Sequence, residues 1–134
     1  MRKAKKKMAP FSVCVDLDGT LISHWTGDFN IGNFGHPLPG AHSFLETLRG
    51  MGASITIFTC RGNIRVGGMA VEDCHRIIKE YLDAQGFIYD AIYVGQGKPV
   101  ANWYIDDRGI SCMPEYDPEA YTRALMHIRG MQED

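Results

Sequence analysis

Acidic residues gather after two apolar runs of this sequence. Asp16 and Asp18 follow the run from Phe11 to Val15, and a spacing of two in a strand places both side chains on one side. Two close carboxylates repel each other and are stabilised by a cation. Asp106 and Asp107 follow a later run and add negative charge. Because Mg²⁺ favours a few carboxylates together with waters and phosphate oxygens, the pattern predicts a magnesium site that handles a phosphate.

Residues suited to the phosphate itself stand between these acids. Lys98 offers a compact positive charge for phosphoryl oxygens, and the hydroxyl of Thr59 donates a hydrogen bond without adding charge. Gly19 allows a sharp turn that exposes backbone amides. The segment DLDG alone is also typical of a hairpin turn. It begins like a calcium loop as well, but Leu21 and Gly27 stand where that loop needs Gly and Glu.

Apolar periodicity divides the chain into strands and helices. Strands are predicted at Phe11 to Val15, Ser54 to Thr59, Ala91 to Val94 and Trp103 to Ile105. Helical spacing predicts one helix after Gly40, a longer one that ends at Gly86, and a third after Pro118. Residues 22–40, rich in Gly, Pro, Asn and Asp, predict a long exposed loop, called the flap below. Strands that alternate with helices are typical of βαβ units and a mostly parallel sheet.

Polar residues follow three of the four predicted strands. They are Asp16 and Asp18 after the first strand, Thr59 and Arg61 after the second, and Asp106 and Asp107 after the fourth. In parallel α/β sheets ligands bind outside the carboxyl ends of the strands. We therefore expect these residues to meet at one edge of the sheet, in which the predicted strands stand in the order third, second, first, fourth.

The composition is that of a globular protein with a basic tail. The 134 residues, 45% of them hydrophobic, suit one domain with a core, which we assign to residues 9–134. Residues 1–8 hold five of the 14 basic residues and predict a flexible tail. The other 9 basic residues face 16 acidic ones, so the body has a net charge of −7. This charge argues against a broad nucleic-acid surface.

Compartment signals point to the cytoplasm. No apolar run is long enough for a membrane span, and Asp16 and Asp18 interrupt the apolar region that a signal peptide would need. The four cysteines have neither metal-site nor disulfide spacing, which predicts reduced thiols. We therefore expect a cytoplasmic protein without a membrane partner.

The ordered motifs resemble the haloacid dehalogenase (HAD) superfamily. Its pattern is D-x-D-x-T at the first strand, Thr or Ser at the end of the second, a Lys, and an acidic pair after the fourth. The matching residues here are Asp16, Asp18 and Thr20, then Thr59, then Lys98, then Asp106 and Asp107. The resemblance covers residues 11–109 and implies a Rossmann-like, doubly wound parallel sheet.

The resemblance also implies an activity, that of a magnesium-dependent phosphatase. Asp16 would attack phosphorus to form an aspartyl phosphate, and Asp18 would protonate the leaving oxygen and then activate water. Mg²⁺ would be held by Asp16, the backbone carbonyl of Asp18, and Asp106, with Asp107 orienting a bound water. The remaining expected site residues are Thr59 and Lys98 on the transferred phosphate and Gly19, Thr20 and Arg61 in contact with phosphate or substrate.

The spacing of the motifs leaves no room for the cap domain of larger relatives. Such an open site accepts a phosphorylated small molecule or the phosphorylated end of a larger one, or is covered by another subunit of a homo-oligomer. The phosphatase domain of polynucleotide kinase-phosphatases also carries an IDDR-like segment and an Arg placed as Arg61 is after Thr59. A nucleic-acid 3′-phosphate is therefore the alternative substrate.

Two non-enzymatic interpretations use the same fold. A receiver domain also has an Asp, a Thr, a Lys and an acidic pair, but its acidic pair lies at the first strand. Here Asp106 and Asp107 follow Lys98 instead, so the order disagrees. An inactive binding module on the same fold is the second alternative. The complete set of motif residues argues against it, namely Asp16, Asp18, Thr59 and Lys98.

Overall fold

The computed structural model describes residues 10–24, 31–59, 61, 70–94, 99–106, 110–112, 114–115 and 117–132. The predicted tail at residues 1–8, part of the flap, and the expected site residues Lys98 and Asp107 lie outside these ranges. Within them the chain forms five strands and three helices.

The strands form one parallel sheet. In chain order they are β1 (Phe11–Asp16), β2 (Ala53–Phe58), β3 (Ala91–Tyr93), β4 (Trp103–Asp106) and β5 (Ile110–Ser111). Their order across the sheet is β3-β2-β1-β4-β5, and every neighbouring pair is parallel. The predicted parallel sheet and the order of its first four strands are confirmed. The sequence does not predict β5, because two residues are too few to show a periodic pattern.

The order of the strands reverses beside β1. From β1 the chain continues through β2 to β3 on one side, and then crosses to β4 and β5 on the other. Val13 and Val15 of β1 are fully buried, which suits a central strand paired on both sides. Doubly wound sheets bind ligands outside the carboxyl ends of the strands at such a reversal. The crevice between the ends of β1 and β4 is therefore the expected position of a site.

The three predicted helices are confirmed as α1 (Ala41–Gly50), α2 (Val71–Ala84) and α3 (Ala120–Gln132). Gly40 directly before α1 has a φ of 88°, and Gly86 after α2 has a φ of 74°. Glycine adopts this left-handed conformation readily because it has no Cβ, so both glycines mark helix ends. The buried residues of α2, spaced four apart on one face, are Cys74, Ile78 and Leu82.

The helices pack against the sheet around a hydrophobic core. Helix α1 contacts β2, α2 contacts β3, α3 contacts β5, and α1 also contacts α3. The rings of Phe44 and Tyr121 stack between α1 and α3 with their centroids 4.8 Å apart. Among the described residues between β1 and β4 there are only these elements and their loops, without an inserted cap domain. In the same described part, no helix has the length and apolar content to cross a membrane.

Candidate active site

Three of the expected site residues stand at one edge of the sheet. Asp16 and Asp106 are the last residues of β1 and β4, and these parallel strands pair up to the positions immediately before the two acids. Thr59 directly follows β2, whose last residue pairs with Asp16. The structure thus brings Asp16, Thr59 and Asp106 to the edge beside the reversal of strand order.

The loop after β1 turns around the carbonyl of Leu17. This oxygen accepts backbone hydrogen bonds from the amides of residues 20–22 over 2.9–3.3 Å. Gly19 has a φ of 81°, and its amide donates to the carbonyl of Ile22 at 2.8 Å. The Asp16 carboxyl accepts a hydrogen bond from the amide of Leu17 at 2.9 Å, which restricts its orientation. The Gly19 amide therefore bonds within the loop, whereas the sequence predicted an amide directed at the phosphate.

The carboxylate of Asp18 turns toward the residues that follow β2. Nη2 of Arg61 donates to its Oδ1 at 2.7 Å, and Nε of Arg61 lies 3.2 and 3.1 Å from the two carboxylate oxygens. Thr59 Oγ1 donates to Oδ2 of Asp18 at 3.2 Å and accepts from the amide of Arg61 at 3.2 Å. The side chains of Arg61 and Asp18 are 0% and 10% exposed. Such a charge-assisted fork fixes the plane of the carboxylate.

Arg61 is therefore placed differently from the expectation that it contacts a phosphate. Its guanidinium binds Asp18, and its Nη1 donates to the carbonyl of Ile31 in the flap at 2.9 Å. Since the side chain is fully buried, a phosphate could reach it only after the covering residues move.

Thr20 is also buried, and its polar groups contact the C-terminal part of the chain. Its Oγ1 donates to the carbonyl of Cys112 at 3.4 Å, and its own carbonyl accepts a hydrogen bond from the Tyr121 hydroxyl of α3. Burial raises the pKa of the Cys112 thiol to about 12 and also raises the pKa of Tyr121, so both groups stay protonated at neutral pH. These contacts join the motif loop to α3, and contact of Thr20 with phosphate or substrate stays a prediction.

A histidine–glutamate pair stands beside the motif loop. Nδ1 of His24 lies 2.9 Å from Oε1 of Glu115, and the His24 amide donates to the same oxygen at 2.8 Å. A Cβ placed on Gly19 would lie 2.6 Å from Nε2 of His24, so the imidazole ring packs against the motif glycine. Because His24 stands in the flap, the sequence makes it a candidate for contact with substrate. Glu115 is not such a candidate, because a lone acid in a loop has no distinguishing local pattern.

The donor groups at the sheet edge fit Mg²⁺. Among the described residues, His, Cys, Asp and Glu side chains form no group of three or more that could hold a metal. Asp16 and Asp106 would supply two carboxylates, and Asp18, whose carboxylate is bound by Arg61, would supply its backbone carbonyl. Water and phosphate oxygens would complete the shell, as Mg²⁺ prefers. The Cys112 thiol, protonated at neutral pH, is no competing soft ligand.

The similarities of this chain to known proteins are similarities to solved structures. No family model matches the chain, and no curated protein matches it. A conserved protein from Bacteroides thetaiotaomicron is 24% identical over 83% of this chain and 89% of its own, with a TM-score of 0.51. A structural-genomics target from Vibrio cholerae is 27% identical over 87% of this chain and 98% of its own, with a TM-score of 0.50.

A third solved structure is D,D-heptose 1,7-bisphosphate phosphatase from B. bronchiseptica, complexed with magnesium and phosphate. It is 18% identical over 66% of this chain and 51% of its own length, with a TM-score of 0.42, which is too low to establish a shared fold. The first two likenesses cover most of both chains. Together with the doubly wound parallel sheet described above, they show that the chain has a Rossmann-like α/β fold, and its resemblance to the HAD superfamily stays a prediction.

Proposed function

We propose that the protein is a magnesium-dependent phosphatase that works through an aspartyl phosphate on Asp16. The observation that carries this proposal is the position of Asp16 and Asp106 on adjacent strand ends where the strand order reverses. Asp18 and Thr59 lie beside them and are hydrogen-bonded to each other. The residues that we propose as the nucleophile, the acid–base group and a donor to phosphate therefore lie on neighbouring loops, which supports the proposal.

The metal would be held by the carboxylates of Asp16 and Asp106 and the backbone carbonyl of Asp18. We assign Asp107, which lies outside the described residues, to the orientation of a bound water. When bound, Mg²⁺ would neutralise negative charge on the phosphoryl oxygens. Positioning and charge neutralisation supply most of the catalysis of phosphoryl transfer.

Two steps would complete one turnover. In the first, for which Asp18 must enter in its protonated form, an oxygen of Asp16 attacks phosphorus, the bond from phosphorus to the ester oxygen breaks, and the leaving oxygen takes the proton of Asp18. In the second, Asp18 removes a proton from water, the water oxygen attacks phosphorus, and the bond from phosphorus to Asp16 breaks. Inorganic phosphate leaves, and both aspartates return to their initial states.

Asp18 suits this exchange of protons in spite of its bonds to Arg61. A carboxylate offers about four lone-pair positions, so an oxygen that accepts from a guanidinium can still exchange a proton at another position. Its side chain keeps 10% of its surface exposed, on a loop directly after Asp16. Thr59 would bind a phosphoryl oxygen by turning its hydroxyl from Asp18, and Lys98, outside the described residues, would supply the positive charge.

The substrate class is a phosphate monoester of a small molecule or of the end of a larger one. The net charge of −7 outside the tail opposes the approach of a polyanion, so a nucleic-acid 3′-phosphate remains the second candidate.

The experiment that tests the proposal is turnover by the purified full chain. A panel of phosphorylated metabolites and of oligonucleotides with 3′-phosphate ends is incubated with Mg²⁺ or with EDTA, and phosphate release is measured. We expect continuous release that EDTA abolishes and that Asp16→Asn abolishes with the fold retained. Asp18→Asn should slow both steps. Wild-type rates in Asp16→Asn would contradict the covalent mechanism, and a single stoichiometric phosphorylation without release would indicate a receiver-like role.

A further inference from the structure

The guanidinium of Arg61 joins two parts of the chain that belong to different motifs. Its Nε and Nη2 bind the carboxylate of Asp18, and its Nη1 donates to the carbonyl of Ile31 at 2.9 Å. Ile31 begins the described second part of the flap, and Asp18 belongs to the loop after β1. A single fully buried side chain therefore contacts both the proposed acid–base group and the flap backbone.

The same flap segment is held by two rings. The guanidinium carbon of Arg61 lies 4.3 Å from the centroid of the Phe34 ring. Phe34 also stacks on Tyr81 of α2, with centroids 4.0 Å apart and planes inclined by 10°. The hydroxyl of Tyr81 donates to the carbonyl of Gly35 at 2.7 Å. Four contacts thus hold residues 31–35 in place. Arg61 makes the contacts to Ile31 and Phe34, and Tyr81 makes the contacts to Phe34 and Gly35.

We propose that Arg61 is a positioning residue that orients Asp18 and fastens flap residues 31–35 at the same time, and that it is not a ligand of the phosphate. This inference rests on the proposed function, because it assigns a consequence to the orientation of Asp18. The planar fork of Arg61 contacts both oxygens of the Asp18 carboxylate, Oδ1 through Nη2 and Oδ2 through Nε, which a single ammonium group could not do with the same fixed geometry.

A consequence is that the flap and Asp18 are coupled. Because one guanidinium binds both, a change that releases Ile31 or Phe34 also loosens the hold on Asp18, and the reverse follows by linkage. A phosphate ligand would behave differently: its loss would weaken the binding of phosphate and leave the flap in place. The two roles of Arg61 therefore differ in measurable quantities.

The test compares Arg61→Ala and Arg61→Lys with the wild type in the full chain. The measurements are kcat and KM on a small phosphate ester with Mg²⁺, inhibition by inorganic phosphate, and amide hydrogen exchange of residues 31–38 without substrate. The matched control is Arg49→Ala, which removes an exposed arginine of α1 that pairs with Asp90 at 3.3 Å. We expect this control to match the wild type in every measurement.

For Arg61→Ala we expect kcat to fall by about 10²-fold with KM and phosphate inhibition little changed, since misplacement of an acid–base group affects the chemical step. Added guanidinium ion should restore part of kcat. Exchange of residues 31–35 should accelerate by about 10-fold or more as their contacts are lost. Arg61→Lys, which keeps the charge without the fork, should give intermediate values and serves where Arg61→Ala fails to fold.

Two results would overturn the inference. Flap exchange equal to wild type in both Arg61 variants would show that the guanidinium does not fasten residues 31–35. Phosphate inhibition that weakens in step with kcat would assign Arg61 to the phosphate instead. Absence of turnover in the wild type would refute the proposed function and leave the exchange measurement to decide whether Arg61 holds the flap.

Discussion

Arg61 and Asp18, 43 positions apart in the chain, meet in a hydrogen bond of 2.7 Å between Nη2 and Oδ1. The guanidinium is fully buried and the carboxylate nearly so. Two opposite charges withdrawn from water stabilise each other, but either one alone would be a buried charge without compensation. The pair therefore makes the stability of the fold depend on the same groups that we propose for catalysis.

We predict that Arg61→Met destabilises the protein strongly and that a second change partly restores it. Removing one partner of a buried ion pair costs about 3–5 kcal/mol of unfolding free energy. Asp18→Asn in the Arg61→Met background should recover part of this cost, because no carboxylate then lacks its counter-charge. Denaturant unfolding measures the free energy of unfolding of the wild type, of Arg61→Met and of the double variant. The control Arg49→Ala, from a half-exposed pair, should cost less than about 1 kcal/mol. If Arg61→Met lowers the free energy of unfolding by no more than the control does, the interpretation of a buried ion pair is contradicted.

A second prediction concerns the metal. Asp106→Asn keeps the size of the side chain but removes one of the two carboxylates at the ends of β1 and β4. Mg²⁺ affinity, measured by calorimetric titration, should weaken by at least about 10-fold. Asp117→Asn is the control, since Asp117 is paired with Arg123 at 3.0 Å on the surface. Unchanged affinity in Asp106→Asn would place the metal ligand elsewhere.

A third prediction tests the backbone of the motif loop. Gly19 has a φ of 81°, and an added Cβ would lie 2.6 Å from Nε2 of His24. Gly19→Ala should destabilise the protein by about 1–2 kcal/mol from the left-handed conformation alone. Gly130→Ala is the matched control, because it lies within α3 with no atom within 4 Å of the new Cβ, and it should stabilise by about 0.5–1 kcal/mol.

The second half of that experiment separates backbone strain from crowding. In a His24→Ala background the ring is gone, so the cost of Gly19→Ala that remains is the conformational part. If Gly19→Ala proves neutral in both backgrounds, the loop does not need the left-handed conformation.

Local pattern predicts the three helices and four of the five strands of the described part of the chain. Apolar runs and glycine signals predict β1, β2 and the helix ends at Gly40 and Gly86, because these depend on neighbouring residues. The rule that strands of an α/β sheet present ligands at their carboxyl ends then places Asp16, Thr59 and Asp106 together.

Contacts between distant parts of the chain could not be predicted in this way. Arg61 has the residue type of a phosphate ligand, and only the folded chain reveals its ion pair with Asp18. Tyr121 shows in the sequence as one position of an amphipathic helix, yet its hydroxyl reaches the carbonyl of Thr20, 101 positions away. Periodicity reports which face of an element is buried, and it does not report the partner of a buried polar group.

A fourth prediction follows from that Tyr121 hydroxyl. Tyr121→Phe leaves the carbonyl of Thr20 without its donor and should cost about 1–3 kcal/mol at neutral pH. Burial raises the pKa of Tyr121 in the folded state, so this stabilisation is present below the ordinary tyrosine pKa of about 10 and is lost as the pH rises above it. The difference in stability between wild type and variant should therefore shrink above that pH. Urea unfolding at neutral and alkaline pH measures it, and a constant difference would contradict the assignment.

The last prediction concerns the flap, which we expect to govern substrate choice because loops on a rigid scaffold carry specificity. Its aromatic residues Trp25, Phe29 and Phe34 are the candidates for stacking on a substrate, and Phe29 lies outside the described residues. Trp25 lies outside the described residues, whereas the ring of Phe34 is packed between Arg61 and Tyr81. Phe34 therefore has the contacts of a residue that holds the flap in place, and Trp25 remains the candidate for contact with substrate.

We predict different outcomes for these two residues. Phe34→Ala should lower kcat/KM for the best substrate of the panel and for a small generic phosphate ester by the same factor, since it loosens Arg61 and residues 31–35 for both. Trp25→Ala should lower kcat/KM for the larger substrate alone. A side chain that contacts only the leaving group of the larger substrate adds no binding energy to the transition state of the small ester. Phe34→Leu, which keeps an apolar side chain of similar bulk, is the matched control and should stay near the wild-type values for both substrates. A loss confined to the larger substrate in Phe34→Ala would make Phe34 a substrate contact, and equal losses in Trp25→Ala would remove the flap as the element that selects the substrate.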